Sequence, residues 1–117
     1  MACHSYRQGD ILIEPIPVIP VGCAELPAQE RSGGLVHVLA EGEVSGHAHC
    51  IAAGPGILAL RRQDPSDPLA VGYLALKALA RLVHDEHAPI ELPPGNYRVV
   101  QQRRYETGTG LWRRVSD

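Results

Sequence analysis

The sequence predicts an all-β protein: a small single-domain barrel, roll or sandwich of short, mostly antiparallel strands. Three observations predict it. Short runs rich in Val, Ile, Leu and Tyr recur along the chain, and β-branched and aromatic residues fit a pleated, half-buried surface. Turn formers separate those runs, with 12 Gly and 10 Pro spread over 117 residues. The apolar fraction is ordinary at 44%, yet there is no Phe and one Trp, so the core is aliphatic and narrow. A chain of this length is one domain, residues 1–117.

The elements follow in order. Gly9 to Ile16 is a β-rich run opened by a Gly-Asp turn, and Pro15, Pro17 and Pro20 then mark an edge or extended exit. Residues 24–34 (AELPAQERSGG) read as a polar surface loop. Leu35 to Ala40 is a second strand, and Glu41-Gly42-Glu43 turns the chain. Val44 to Ala52 is a third, with His47, His49 and Ile51 on one face and Ala48, Cys50 and Ala52 on the other. Gly54-Pro55-Gly56 is a turn before a fourth strand over Ile57 to Leu60, and residues 61–68 form an exposed loop.

Residues 69–84 carry two periodicities. Ala, Leu and Lys favour helix, whereas period two places Leu74, Leu76, Ala78, Ala80, Leu82 and His84 on one face. The β-rich surroundings favour the strand, with one short helix as the alternative. Pro89 to Leu92 is a short strand, and Pro93-Pro94-Gly95-Asn96 is a turn. Tyr97 to Tyr105 reads as one long strand, and Leu111 to Val115 pairs back on it as a hairpin.

Composition narrows the function classes. The net charge is −2, which gives no global attraction to nucleic acid or an anionic membrane. The arginines gather near the C-terminus, and Arg98, Arg104 and Arg113 are candidates for a partner-binding face. Nucleic acid is not the expected partner, because no aromatics flank these arginines in stacking register. The bland reading is a solvated face that protects a sheet edge. The 3 cysteines lack CxxC spacing, which argues against a disulfide framework. No signal pattern and no membrane-spanning apolar run is visible, so a cytoplasmic location is expected.

Four of the six histidines sit in two pairs, His47-Ala-His49 and His84-Asp-Glu-His87. Imidazole is the commonest protein ligand for transition metals, and residues i and i+2 of a strand share a face. His47 and His49 can therefore grip one ion, and His84 and His87 can close the site across a bend. A carboxylate from Glu43 or Glu86 would complete the shell or act as a base. The expected cofactor is one divalent transition metal (Zn, Fe, Mn or Ni). The competing reading is a non-catalytic interaction or self-assembly module with structural or pH-responsive histidines. No nucleophile elbow and no phosphate-binding loop is present. A small-molecule ligand and a homo-oligomer accompany these expectations, since a narrow core gains from further burial.

Three segments, Tyr6-Arg7-Gln8-Gly9-Asp10, LAEGEVSGHAH (39–49) and HDEHAPIELPPGNYRVV (84–100), resemble a family of small uncharacterised bacterial and phage-associated proteins. That resemblance implies no activity. A looser similarity is to cupins, metal-binding β-barrels with a His-x-His motif and a Pro-x-Gly turn, echoed by Gly46-His47-Ala48-His49 and Pro93-Pro94-Gly95. Only His47 and His49 match the cupin ligand set. No Glu follows His49 at the cupin interval, and no His follows Gly95 where a cupin places its last ligand.

Overall fold

Antiparallel pairing between short, turn-bounded strands organises the whole chain. The computed structural model describes residues 4–41, 46–61, 69–106 and 111–114. The first sheet contains β1 (Tyr6–Gln8), β2 (Ile11–Pro15), β3 (Ala24–Glu25), β7 (Ile57–Arg61), β8 (Ala70–Leu76) and β11 (Gly95–Gln101). Its spatial order is β1-β2-β11-β8-β7-β3. The second contains β4 (Gln29–Arg31), β5 (Gly34–Glu41), β6 (Ala48–Ala52), β9 (Ala80–Val83) and β10 (Ile90–Leu92). Its order is β10-β9-β6-β5-β4. The expected C-terminal hairpin is present as β12 (Arg103–Glu106) paired with β13 (Leu111–Arg114).

The all-β reading stands, and among the described residues there is no helix. The barrel alternative does not stand. Neither sheet closes, because the edge strands β1, β3, β4 and β10 have only two or three residues and cannot carry a ladder around. The sheets instead share one core. Ile11, Ile13, Leu74, Tyr97 and Val99 come from the first sheet, and Ile51, Leu82 and Leu92 from the second, all fully buried. Tyr97 supplies the aromatic bulk. Its hydroxyl donates to the Pro93 carbonyl at 2.6 Å, which satisfies its polar end and pins the turn into β11.

Four segments differ from expectation. Residues 69–84 form neither a helix nor one strand, but β8 and β9 in different sheets. Each is paired on both sides, β8 with β7 and β11, β9 with β6 and β10. That pairing overrides the helical propensity of Ala and Leu. The chain crosses between sheets at residues 77–79, where the Lys77 amide donates to the Gly56 carbonyl at 2.7 Å. Residues 24–34 are not simply a loop, since β3 and β4 lie within them. The run from Tyr97 divides at Gln102 into β11 and β12. Gly9-Asp10 is the loop of a hairpin, with Tyr6–Gln8 pairing back on β2. Gly9 has φ 57°, the first loop position that a II′-type hairpin reserves for glycine. The described part of the third strand starts at Ala48, while Val44 and Ser45 fall outside the described residues.

Two bulges adjust the facing of side chains. In the β5–β6 ladder Val38 pairs Cys50 and Ala40 pairs His49, so Leu39 is an extra residue beside His49. In the β8–β11 ladder Val99 pairs Gly72 and Val100 pairs Ala70. Gly72 sits beside that bulge, and a Cβ there would lie 2.3 Å from the Leu60 carbonyl oxygen. Among the described residues, no helix is long and apolar enough to cross a membrane.

Gly72→Ala forces β7 and β8 apart, so urea denaturation should show a loss of about 1–3 kcal/mol. An unchanged midpoint would mean that this close approach is not a constraint.

Candidate functional site

At one end of the two sheets, the β1–β2 turn, the start of β6 and the connection from β9 to β10 meet. The two histidine pairs, 35 or more residues apart in sequence, come together there. His84 is the hub. Its ring centroid lies 4.3 Å from that of His49, 4.6 Å from His87 and 5.8 Å from His47. The rings of His49 and His87 are nearly parallel, with centroids 6.3 Å apart.

His49 is the buried member, with no exposed surface. Both its ring nitrogens are held. Nδ1 lies 2.9 Å from Gln8 Oε1, and Nε2 lies 3.0 Å from Asp10 Oδ1. The direction of the first bond follows from Gln8. Its Nε2 donates to the Leu82 and Ala88 carbonyls at 3.2 and 3.0 Å, so its oxygen must face His49 and can only accept. His49 Nδ1 therefore carries a proton. Asp10 is also fully buried, and its other oxygen accepts from Gln101 Nε2 at 2.9 Å. A single proton lies between His49 Nε2 and Asp10 Oδ1. Whichever atom holds it, the pair has no net charge, which is what a buried site tolerates. Gln101 Nε2 also donates to the Glu41 carbonyl at 2.9 Å. The network thus ties β1, the β1–β2 turn and β11 on the first-sheet side to β5, β6 and β9 of the second.

The other three histidines lie nearer solvent. His47 precedes β6, after Gly46 at φ 86°. Its Nδ1 is buried and makes no hydrogen bond among the described residues, although Glu86 Oε1 lies 3.1 Å away. His84 Nδ1 accepts the Glu86 amide at 3.0 Å, which places the proton of the neutral ring on Nε2. As they stand, no three His, Cys, Asp or Glu side chains among the described residues gather their donors around one point. Both His49 nitrogens are engaged, and His84 Nδ1 is taken by an amide.

Asp85 fixes the turn that carries His84 and His87. Its Oδ1 accepts the Ala48 amide at 3.0 Å and Arg31 Nη2 at 3.3 Å. The Ala48 amide holds its carboxyl below the usual carboxylate range, and the Arg31 and His47 charges act in the same direction. Arg31 Nη2 also donates to the Gly46 carbonyl, so one guanidinium braces both histidine segments. Beside this brace runs an open groove of about 400 Å³, lined by Arg31, Val36, Cys50, Val83 and His84 among others. Burial pushes the Cys50 thiol up, so it stays a protonated, apolar element of the groove floor.

The remaining sequence candidates are placed as follows. Glu43 falls outside the described residues. Glu86 stands beside His47, as above. Arg98 is paired with Glu14 on the neighbouring strand β2, away from the histidines. Arg104 and Arg113 are cross-strand partners in the β12–β13 hairpin. His37 donates to the Leu26 carbonyl at 2.9 Å, outside the cluster. Sequence reasoning missed Gln8, Asp10, Gln101 and Arg31. Gln101 alone left a trace, since it shares the inward period-two face of Tyr97 and Val99.

The chain belongs to the family described as Domain of unknown function (DUF8820), which matches residues 7–102. That span contains every histidine of the cluster and all of its buried partners. No curated protein and no solved structure matches the chain.

Two outcomes are expected here. Asp10→Ala leaves His49 buried without its partner and should cost about 3–5 kcal/mol in urea denaturation. A loss within about 0.5 kcal/mol would mean that the pair is not a structural tie. Asp85 titrates lower in the folded chain than in the unfolded one. It therefore stabilises above the unfolded carboxylate value of about 3.9, and that stabilisation is lost as pH falls through the folded value. The stability gap between wild type and Asp85→Ala should be present at neutral pH and shrink below about pH 4, measured by denaturation across pH.

Proposed function

We propose that this protein binds one divalent transition metal (Zn, Fe, Mn or Ni) at the solvent-facing part of the histidine cluster. His47, His84, His87 and Glu86 are the ligands. His49 is their buried support, with Asp10 holding it. The convergence of four imidazoles from two distant segments carries this reading. The donor chemistry supports it too: His47 Nδ1 and Glu86 Oε1 lie 3.1 Å apart, close to the roughly 3.3 Å between adjacent tetrahedral ligands at metal distances of about 2.0–2.1 Å. Entry of the ion has one local requirement. For His84 to ligate through Nε2, its ring proton moves to Nδ1 and the Glu86 amide leaves. Metal loading is thus coupled to the conformation of the 84–87 turn. A three-His, one-carboxylate set suits a borderline ion, and Glu86, half-exposed at the rim, leaves room for an exchangeable position.

A second reading has its own observation. His84 is in ring contact with three other imidazoles, so protonation of more than one ring places like charges side by side. In this reading the cluster is a pH-responsive element of an interaction or self-assembly module, with the short edge strands β4 and β10 as its pairing surfaces.

Equilibrium dialysis against zinc, followed by elemental analysis, should find one ion per chain in the wild type and none in His47→Ala/His87→Ala. No stoichiometric zinc, or the same content in the double variant, overturns the metal reading. A change of oligomeric state between about pH 5.5 and 7.5 with chelator present, followed by light scattering, would favour the second reading.

A further inference from the structure

Apart from His84, the groove beside the cluster is built from side chains that neither reading above uses. Its floor is the outer face of the second sheet: Val36 of β5, Ala48 and Cys50 of β6, and Val83 of β9. Ala48 and Cys50 are buried, while Val83 keeps 39% of its surface exposed. One wall is the β4–β5 hairpin. Its two-residue loop, Ser32-Gly33, has φ values of 53° and 85°, as an I′-type turn requires at both positions. Arg31 stands at the base of that hairpin. His84 and Asp85 form the opposite wall.

The volume, about 400 Å³, falls in the range of small-molecule sites, about 300–1,000 Å³. The floor offers an apolar bed some three strands wide. The polar end offers a guanidinium. Arg31 makes both of its bonds through Nη2, so among the described residues Nε and Nη1 remain available as donors. Either can donate a single charge-assisted hydrogen bond to a carboxylate oxygen. Asp85 is already matched to this guanidinium and to the Ala48 amide through Oδ1.

We infer that this groove binds a small monocarboxylic acid with an aliphatic body, its carboxylate at Arg31 and its chain over Val36, Ala48, Cys50 and Val83. The bound acid lies beside His84, at the border of the proposed metal cluster. The inference does not rest on the ion, because Arg31 and the apolar floor are present without it.

Titration of the full chain with octanoate and, separately, octanol tests this by amide chemical shifts. Octanoate should shift the Ala48, Cys50 and Val83 amides with saturation, and octanol should bind about tenfold more weakly, the scale of a lost charge-assisted hydrogen bond. Arg31→Gln should erase that difference. Val83→Trp fills an exposed part of the groove and should abolish octanoate binding while leaving zinc uptake unchanged. Equal binding of acid and alcohol overturns the carboxylate assignment, and octanoate shifts elsewhere or none overturn the site. The same titration on zinc-treated protein separates the two proposals. Zinc uptake without octanoate binding removes the groove site alone, whereas octanoate binding without zinc uptake removes the ion alone.

Discussion

The buried chain of contacts Gln101–Asp10–His49–Gln8 is the constraint on which the rest of the molecule depends. A narrow aliphatic core holds the two sheets together along most of their length. At the histidine end polar side chains replace it, and each is directional. Gln8 can orient in only one way, because both of its amide hydrogens are taken by carbonyls. That orientation places a proton on His49 Nδ1 and leaves Nε2 to share one proton with Asp10. A buried network of this kind is stabilising only when complete, since an unmatched donor or charge inside would cost more than an apolar replacement. Completeness therefore specifies the register in which the sheets meet.

The same network divides the labour of the His-x-His motif. Two residues apart, His47 and His49 end in different environments. His49 lies within β6 and faces inward, where its nitrogens are consumed by structural bonds. His47 lies just outside the strand, next to a glycine in the left-handed region, and is partly open to solvent. The Arg31–Asp85 brace then holds the 84–87 turn against Gly46 and Ala48. The three outer histidines are thereby presented on a fixed floor, beside a groove whose guanidinium and apolar bed belong to the same brace.

Much of this was legible in the chain. Gly, Pro and Asn turn signals marked strand boundaries, and the β12–β13 hairpin and the short strand before Pro93 fell where alternation placed them. The opposed facing of His49 and Cys50 followed from period two. Other features had no local signal. Gln29–Arg31 is wholly polar, so nothing in its pattern separates an edge strand from a loop. The run over 69–84 has inward residues at Leu74, Leu76, Ala80 and Leu82, as period two requires, but its division between two sheets depends on partners distant in sequence. Asp10 and Gln8 look like ordinary turn and edge residues, because burial by the opposite sheet is a tertiary property. A bulge such as that at Leu39 is likewise invisible without its partner strand.

The most direct test of the central network is the protonation pattern of the His49 ring, read from long-range proton–nitrogen correlation spectra at neutral pH. A proton on Nδ1 that exchanges slowly with water is the expected result, and it should persist in His47→Ala, which leaves the buried contacts in place. An unprotonated His49 Nδ1, or a ring whose protons exchange as fast as those of a solvent-exposed histidine, would contradict the network and, with it, the placement of the cluster.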